Sequence, residues 1–461
     1  MRRIPFVRRP VRMLAPLLAG ITLAASAGAA DLLDVYRLAL AYDPIYAGAR
    51  ALARANEERS VQGRAALLPS VGLNGNYSRG TQDTSRGSFD FRTNTYSLSL
   101  SQPLFRPAAW AAYQQGKLSS AVGEVQFAQA RQELILRVAQ AYFDVLAAQD
   151  ALAFIEAQQA AITEQLASAK RNFEVGTATI TDTNEAQARF DLAEAQAIAA
   201  RNDMNVRQAA LTQLIGQLPE PLAPLRPGVK LALVTPLDIA QWVDQAEQHN
   251  FSVLVQQLTL DIARQEIKRS RAGHYPSVDL VASRSRSDRD SPVAFNNVNG
   301  TPTPTGVTGT TGTTDSSSIG VQWTIPLFSG FGVDSRVRET IALEDQARFN
   351  LENARRTAAQ GARQSFLSVN SGLAQVRALE AAETSSLSAL ESNRLGYEVG
   401  VRINIDVLNA QQQLFSTRRD LARARYDTIL NGLRLEAATG TLTEDDLVSI
   451  NTLLAAAPAK P

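Results

Sequence analysis

Two turns carry most of the polar chemistry of this chain, and they are near copies. Phe173-Glu-Val-Gly176 is followed by Thr181-Asp182, and Tyr397-Glu-Val-Gly400 is followed by Ile405-Asp406, at an offset of 224 residues. A carboxylate placed shortly after a glycine turn can cap the start of a helix. Facing a phenol and a guanidinium, the same group can accept two charge-assisted hydrogen bonds, stronger than neutral ones yet breakable by a competitor. Neither role is catalysis. His249 and His274 sit in unrelated contexts, and the chain offers no metal-ligand pairing, phosphate loop or nucleophile elbow. The residues therefore argue against an enzyme and imply no cofactor and no metal.

What must position these turns is a duplicated unit. Gln140 opens AYFDVL where Gln364 opens SFLSVN, again at 224 residues, whereas Pro103-Leu-Phe105 returns as Pro326-Leu-Phe328 at 223 and Leu68-Pro69-Ser70 as Tyr275-Pro276-Ser277 at 207. About sixteen extra residues in the second copy thus fall within roughly 285–317, as insertions in repeats do at loop tips. Before the first copy, Arg2, Arg3, Arg8, Arg9 and Arg12 precede an apolar run from Met13 to Ala25, closed by small residues through Ala30. This reads as a secretory signal peptide over 1–30, with the mature chain beginning near Asp31. The two repeats then occupy 31–235 and 236–455, with a short tail at 456–461.

Composition narrows the class. Cysteine is absent, which excludes disulfide staples and a lipid-bearing N-terminal cysteine. The formal net charge is +1 with no basic block outside the first thirty residues, so no nucleic-acid partner is implied. No mature stretch holds 18 uninterrupted apolar residues, which speaks against a helical membrane span.

From Pro107 to about Phe173 there is no proline and the segment is rich in Ala, Gln, Glu, Leu and Arg. This predicts one helix about 100 Å long at 1.5 Å per residue. Val138, Ala141, Val145, Ala148, Leu152, Ile155, Ile162, Leu166, Ala169 and Phe173 form a heptad seam that calls for coiled-coil packing. A matching helix is expected over 333–397, with a weaker seam through Val369, Val376, Leu379 and Leu390. Shorter helices, over 32–67 and 182–216 and again over 237–273 and 406–439, flank the long ones. Two short helices end to end match one long one, with the turns at Gly176 and Gly400 at the far tip.

Between the helices the period switches to two. Val71, Leu73 and Tyr77 alternate with Gly72, Asn74 and Asn76, and Tyr96, Leu98 and Leu100 with Ser97, Ser99 and Ser101. In the second copy Val278, Leu280 and Ala282 share one side, and Ile319, Val321, Trp323 and Ile325 alternate with Ser318, Gly320, Gln322 and Thr324. Hairpins over about 70–105 and 277–328, with strands of about ten residues, suit a bilayer crossing with one face to lipid and one to water. The hairpin tips are expected near 81–94 and 287–317, and the Thr/Gly-rich run from Gly300 to Thr314 reads as an exposed extracellular loop. Four strands cannot close a barrel, and an open edge in hydrocarbon costs several kcal/mol per unpaired group, so the chain must oligomerise. Two chains would give eight strands with a filled interior; three give twelve and a pore, which the small lumen residues favour.

With these motifs in order, the mature chain resembles the TolC-type outer-membrane exit ducts over essentially its whole length. The resemblance rests on DLLDVYRLALAYDP, LLPSVGLNGNYSRG, QAYFDVLAAQDAL, RNFEVGTATITDTNEAQARFD, GHYPSVDLVAS, GYEVGVRINIDVLNAQQQL and LRLEAATGTLTEDDL, taken in that order and spacing. It implies an α+β membrane protein: a homotrimeric, twelve-stranded β-barrel, four strands per chain, continuous with a periplasmic α-helical coiled-coil barrel. It further implies a passive duct for efflux or type I secretion that works with a periplasmic adaptor protein and an inner-membrane transporter. The competing class is a periplasmic coiled-coil structural or adaptor protein without a pore, which would have no use for lipid-facing hairpins.

By the same resemblance, Thr181 and Asp182 match one side of a gating lock, and Tyr397 and Arg402 the other. The plain alternative is that Asp182 and Asp406 cap helices. Asp406 and Asn409 match two rings at the tunnel mouth that are acidic in the family. Asn409 departs from that pattern, so the second ring becomes neutral and the mouth should bind polyvalent cations less tightly; alternatively Asn409 is a solvent-facing amide. Tyr77, Tyr96, Phe105, Trp323 and Phe328 read as anchors in the lipid interface, or as ordinary packing. Arg79 and Arg286 lie just beyond the apolar bands, where they would meet lipopolysaccharide phosphates or simply water.

Overall fold

The computed structural model describes residues 29–84, 87–177, 179–217, 221–231, 233, 235–290, 295–298, 301–304 and 311–455. The signal peptide expected over 1–30 lies outside them but for Ala29 and Ala30, as does the whole tail at 456–461. In the first repeat, α1 (Leu32–Tyr42) and α2 (Pro44–Ala65) lead into β1 (Ser70–Thr84) and β2 (Gly87–Phe105), followed by α3 (Pro107–Glu174) and α4 (Ile180–Ile215). In the second, α5 (Ile239–His249) and α6 (Phe251–Arg271) lead into β3 (Ser277–Asp290). A small hairpin, β4 (Phe295–Val298) and β5 (Thr301–Pro304), precedes β6 (Gly312–Thr324), α7 (Gly332–Glu398), α8 (Asn404–Thr439) and α9 (Glu444–Asn451).

The spans 32–67 and 237–273, each expected as one helix, are each two. Asp43 accepts from the amides of Ile45 and Tyr46 at 3.2 and 3.3 Å, ahead of Pro44 in the first helical position. Proline there forgoes only an amide that a helix start leaves unpaired anyway. At the 207-residue offset stands Asn250, whose side chain accepts from the Ser252 amide at 2.9 Å and starts α6. Asp31 and Asp238, related by the same offset, cap α1 and α5. The repeat is thus written in its caps as well as in its apolar pattern.

One four-stranded antiparallel sheet runs in the order β1-β2-β3-β6. Its strands hold 15, 19, 14 and 13 residues, longer than the ten or so expected. The apolar alternation marks only part of each strand; beyond it the backbone ladders run on, with hydroxyl pairs alongside them: Ser283 with Ser318 at 2.9 Å, Ser285 with Ser316 at 2.8 Å and Thr95 with Ser287 at 3.1 Å. Much of the expected tip 81–94 is therefore paired strand, with Thr81 opposite Asp90. Within the low-complexity run 300–314, expected as a loop, residues 301–304 form β5 and 312–314 begin β6, while 300 and 305–310 lie outside the described residues. Val71, Leu73, Tyr77, Tyr96, Leu98, Ile319, Val321 and Trp323 are all exposed on one side of the sheet. Small and polar residues, among them Gly72, Asn74, Ser97, Ser99, Ser283, Ser318 and Gly320, occupy the other, as a lipid face and a lumen face require.

Beside the sheet the helices line up as α2, α3, α6 and α7; farther away α3 packs on α4 and α8, and α7 on α8. Each long helix lies beside a stacked pair, as the helix lengths demand. Val138, Val145, Ala148, Ile162, Leu166 and Ala169 of the heptad seam are buried, while Phe173 at its end is exposed. Near its middle α3 is buried well beyond one stripe, through Leu134, Ile135, Ala139, Tyr142, Phe143 and Leu146. There α1, α9 and the connecting segments wrap it, and the Tyr142 hydroxyl donates to the Ala223 carbonyl at 2.8 Å. By length and composition one window of α3 would suffice to cross a membrane, but part of that window is buried inside the folded chain.

Candidate functional site

The tip of the molecule is built from two turns of identical construction. After α3, the Gly176 amide donates to the Phe173 carbonyl at 3.0 Å and the Thr177 amide to the Asn172 carbonyl at 2.8 Å. After α7, Gly400 donates to Tyr397 at 3.1 Å and Val401 to Gly396 at 2.8 Å. These are Schellman closures, and they need a left-handed residue at the glycine. Gly176 and Gly400 have φ of 78° and 79°, where a side chain costs about 1 kcal/mol or more.

Following the first turn, Thr179 and Asp182 form a capping box. The Thr179 amide and hydroxyl donate to the Asp182 carboxylate at 3.0 and 2.8 Å, and the Asp182 amide donates to the Thr179 hydroxyl at 3.2 Å. Thr181 lies exposed in the first turn of α4. The second turn differs, because Ile403 stands at the cap of α8 with no side-chain acceptor. Asp406 turns instead to Arg402 at 3.6 Å. Tyr397 reaches across to the first turn, its hydroxyl accepting from Asn172 at 3.2 Å. Within one chain, then, Asp182 meets neither Tyr397 nor Arg402 among the described contacts; Tyr397 is tied to the end of α3 and Arg402 to Asp406.

In the second turn of α8, Asn409 is exposed and accepts from Arg189 of α4 at 3.0 Å, and the same guanidinium donates to Gln412 at 2.7 Å. The position that departs from the acidic pattern is thus engaged by a cation. About one turn nearer the tip, Asn404 at the start of α8 is buried and accepts from Gln165 of α3, beside a small core of Ile162, Leu166, Ala169, Ala186 and Leu408. Asn172, Gln165, Asn404 and Arg189 were not singled out from the sequence. For Asn172 a signal existed, because its offset partner is Gly396, where an added Cβ would lie 2.6 Å from Arg402 Cγ. A polar residue facing a glycine across a repeat marks a place where the two copies do different work.

At the other end, Tyr77, Tyr96, Phe105, Trp323 and Phe328 are all more than half exposed, and Phe328 packs edge-on against Phe331 at 5.5 Å. Arg79 pairs with Asp90 at 3.7 Å and Arg286 with Asp288 at 3.8 Å. Both arginines share the apolar face of the sheet, since register sets Arg286 beside Tyr96 and Arg79 two residues beyond Tyr77.

A profile described as "Outer membrane efflux protein" matches the chain in two blocks, 35–217 and 242–441. The chain is 32% identical over 431 residues to "Outer membrane protein TolC" of Vibrio cholerae, covering 93% of this chain and 95% of that one. It is 34% identical over 451 residues to "Proteases secretion protein PrtF" of Dickeya chrysanthemi, covering 94% and 93%. Among solved structures, the outer membrane protein VceC of Vibrio cholerae superposes with a TM-score of 0.72 at 19% identity, over 89% of this chain and 96% of that one. Sequence and fold agree on a channel that places its sheet in the outer membrane and its helices in the periplasm, serving as an exit duct. The chain belongs to the outer membrane efflux protein family.

Proposed function

We propose that this chain works as a homotrimer, the passive outer-membrane duct of an export machine whose inner-membrane transporter supplies energy and whose periplasmic adaptor joins the two. One observation carries the closed ring of copies. Among the described residues β1 and β6 have unpaired outer edges, and because the strands alternate in direction, β6 of one copy lies antiparallel to β1 of the next. The helix wall is open at the same two sides: α2 exposes Ile45 and Leu52, α4 exposes Leu192 and Ile198, and α7 exposes Phe349 and Leu367. Head-to-tail closure covers both kinds of edge at once. A non-pore adaptor would leave the apolar face of the sheet in water. Efflux and type I secretion are both compatible with such a duct.

The same reading assigns the gate to the two turns. In the resting ring Asp182 holds Tyr397 and Arg402 of the adjoining turn, and opening exchanges these contacts for the in-chain ones, the capping box, Asn172–Tyr397 and Arg402–Asp406. Tyr397→Phe with Arg402→Ser removes both donors without touching the buried seam. Single-channel conductance in planar bilayers is expected to rise several-fold while the trimer stays intact on native gels. Conductance equal to wild type would leave Asp182 as a helix cap alone. Asp406→Ala is expected instead to weaken block by a trivalent cation about tenfold, since each copy then loses its carboxylate at the mouth. Unchanged block would place Asp406 off the permeation path.

A further inference from the structure

A groove of about 740 Å³ lies where the barrel meets the helices. Its walls are apolar and aromatic through Leu104, Phe105, Trp110 and Tyr275, and basic through Lys268 and Arg271 of the last turn of α6. The four apolar residues are each more than half exposed. Arg106, which also lines the groove, is engaged by Asp279 at 2.6 Å. Lys268 and Arg271 have no ion pair and no side-chain hydrogen bond among the described residues.

Two arguments place the groove on the outside of the assembly. It belongs to α3 and α6, which α2 and α7 flank within the same chain, so closing the ring at the outer edges leaves it open. On α3, Gly116 faces α2, where an added Cβ would meet the Arg59 carbonyl at 2.5 Å, and Gln115 reaches α6 through Glu266 at 2.8 Å. At about 100° per residue these two neighbours leave a sector of about 260° free on the other side. Trp110 and Gln114 fall near its middle, and the wide side of a closed wall is its convex side. The groove also begins at the last residues of β2 and just before the first of β3, directly below the lipid-facing band, at the level of the periplasmic leaflet.

We infer that this groove binds an anionic glycerophospholipid of the periplasmic leaflet, its phosphate on Lys268 and Arg271 and its acyl chains along Trp110, Phe105 and Leu104. The aromatic residues supply the amphipathic contact of an interfacial belt, and the two free cations supply the selectivity for negative charge. The site rests on the outer-membrane placement of the sheet, and trimer assembly is read in the same experiment, so failure of one is distinguished from failure of the other.

The test is native mass spectrometry of the delipidated trimer with added phosphatidylglycerol or phosphatidylcholine. The wild type is expected to retain phosphatidylglycerol preferentially, up to one per chain, and the Lys268→Ser, Arg271→Ser double variant to lose roughly 30-fold in that affinity with the trimer peak unchanged. Should that variant fail to assemble, Gln114→Trp, which fills the groove without altering charge, must displace the lipid. Equal retention of both lipids by the wild type, undiminished phosphatidylglycerol binding in the variants, or retention of lipopolysaccharide in place of glycerophospholipid from native membranes would each overturn the assignment.

Discussion

Asp43→Ala is expected to destabilise the folded chain by about 3 kcal/mol, a lost helix cap plus a charge-assisted hydrogen bond to a partly exposed arginine. The carboxylate is only 3% exposed and does three things at once. It accepts from the Ile45 and Tyr46 amides and so starts α2, and it is the partner of Arg137 on α3. Arg137 Nε already lacks a hydrogen-bond partner, so deleting the carboxylate strands a half-buried cation. Capping alone contributes about 1 kcal/mol. The duplication provides its own control, because Asn250 caps α6 at the equivalent place, its amide meeting the Ala438 carbonyl rather than an ion. Thermal unfolding of the purified trimer should shift by roughly 5 °C or more for Asp43→Ala and by clearly less for Asn250→Ala. Equal shifts would mean that the ion pair contributes nothing beyond the cap.

The second large effect depends on pH. Glu436, near the end of α8, lines a cavity of about 310 Å³ with Trp242, Leu433, Asp446 and Ile450. No cation is among the lining residues, and Glu436 Oε2 has no hydrogen-bond partner. Burial first, and the neighbouring Asp446 charge second, push its carboxyl up from 4.5 to about 7. The folded chain therefore holds this proton more tightly than the unfolded one. That contribution is complete below pH 4.5 and is lost as the pH rises through 7. Glu436→Gln keeps the shape without the charge and should raise stability by about 3 kcal/mol at pH 8, with little change at pH 4. Urea unfolding at the two pH values decides it. A gain of equal size at both would assign the effect to packing rather than to ionisation.

Much of this molecule is local and therefore legible in its residues. The period-two runs around Leu73, Leu98 and Val321 required a sheet with one apolar face, and the heptad spacing from Val138 to Ala169 required a coiled-coil helix, because side-chain direction repeats with backbone geometry. Glycine at 176 and at 400 marked the two tip turns, since only a left-handed residue closes them. Four strands whose edges cannot stay bare in lipid imply an oligomer from the sequence alone.

The tertiary structure decided what depends on which helices meet and at what rotation. The break at Asp43 interrupts a span expected as one helix, and its partner Arg137 lies 94 positions away. The Asn172–Tyr397 bond spans 225 positions and joins the two copies at a point where they are not alike. Asp182 folds back onto Thr179, whereas Asp406, its counterpart after the second turn, turns to Arg402. The residue at the cap, threonine in one copy and isoleucine in the other, makes the difference. Glu436 and the lipid groove were invisible for the same reason. Desolvation and convexity are properties of a surrounding wall, and a linear order of residues holds neither until the helices have packed.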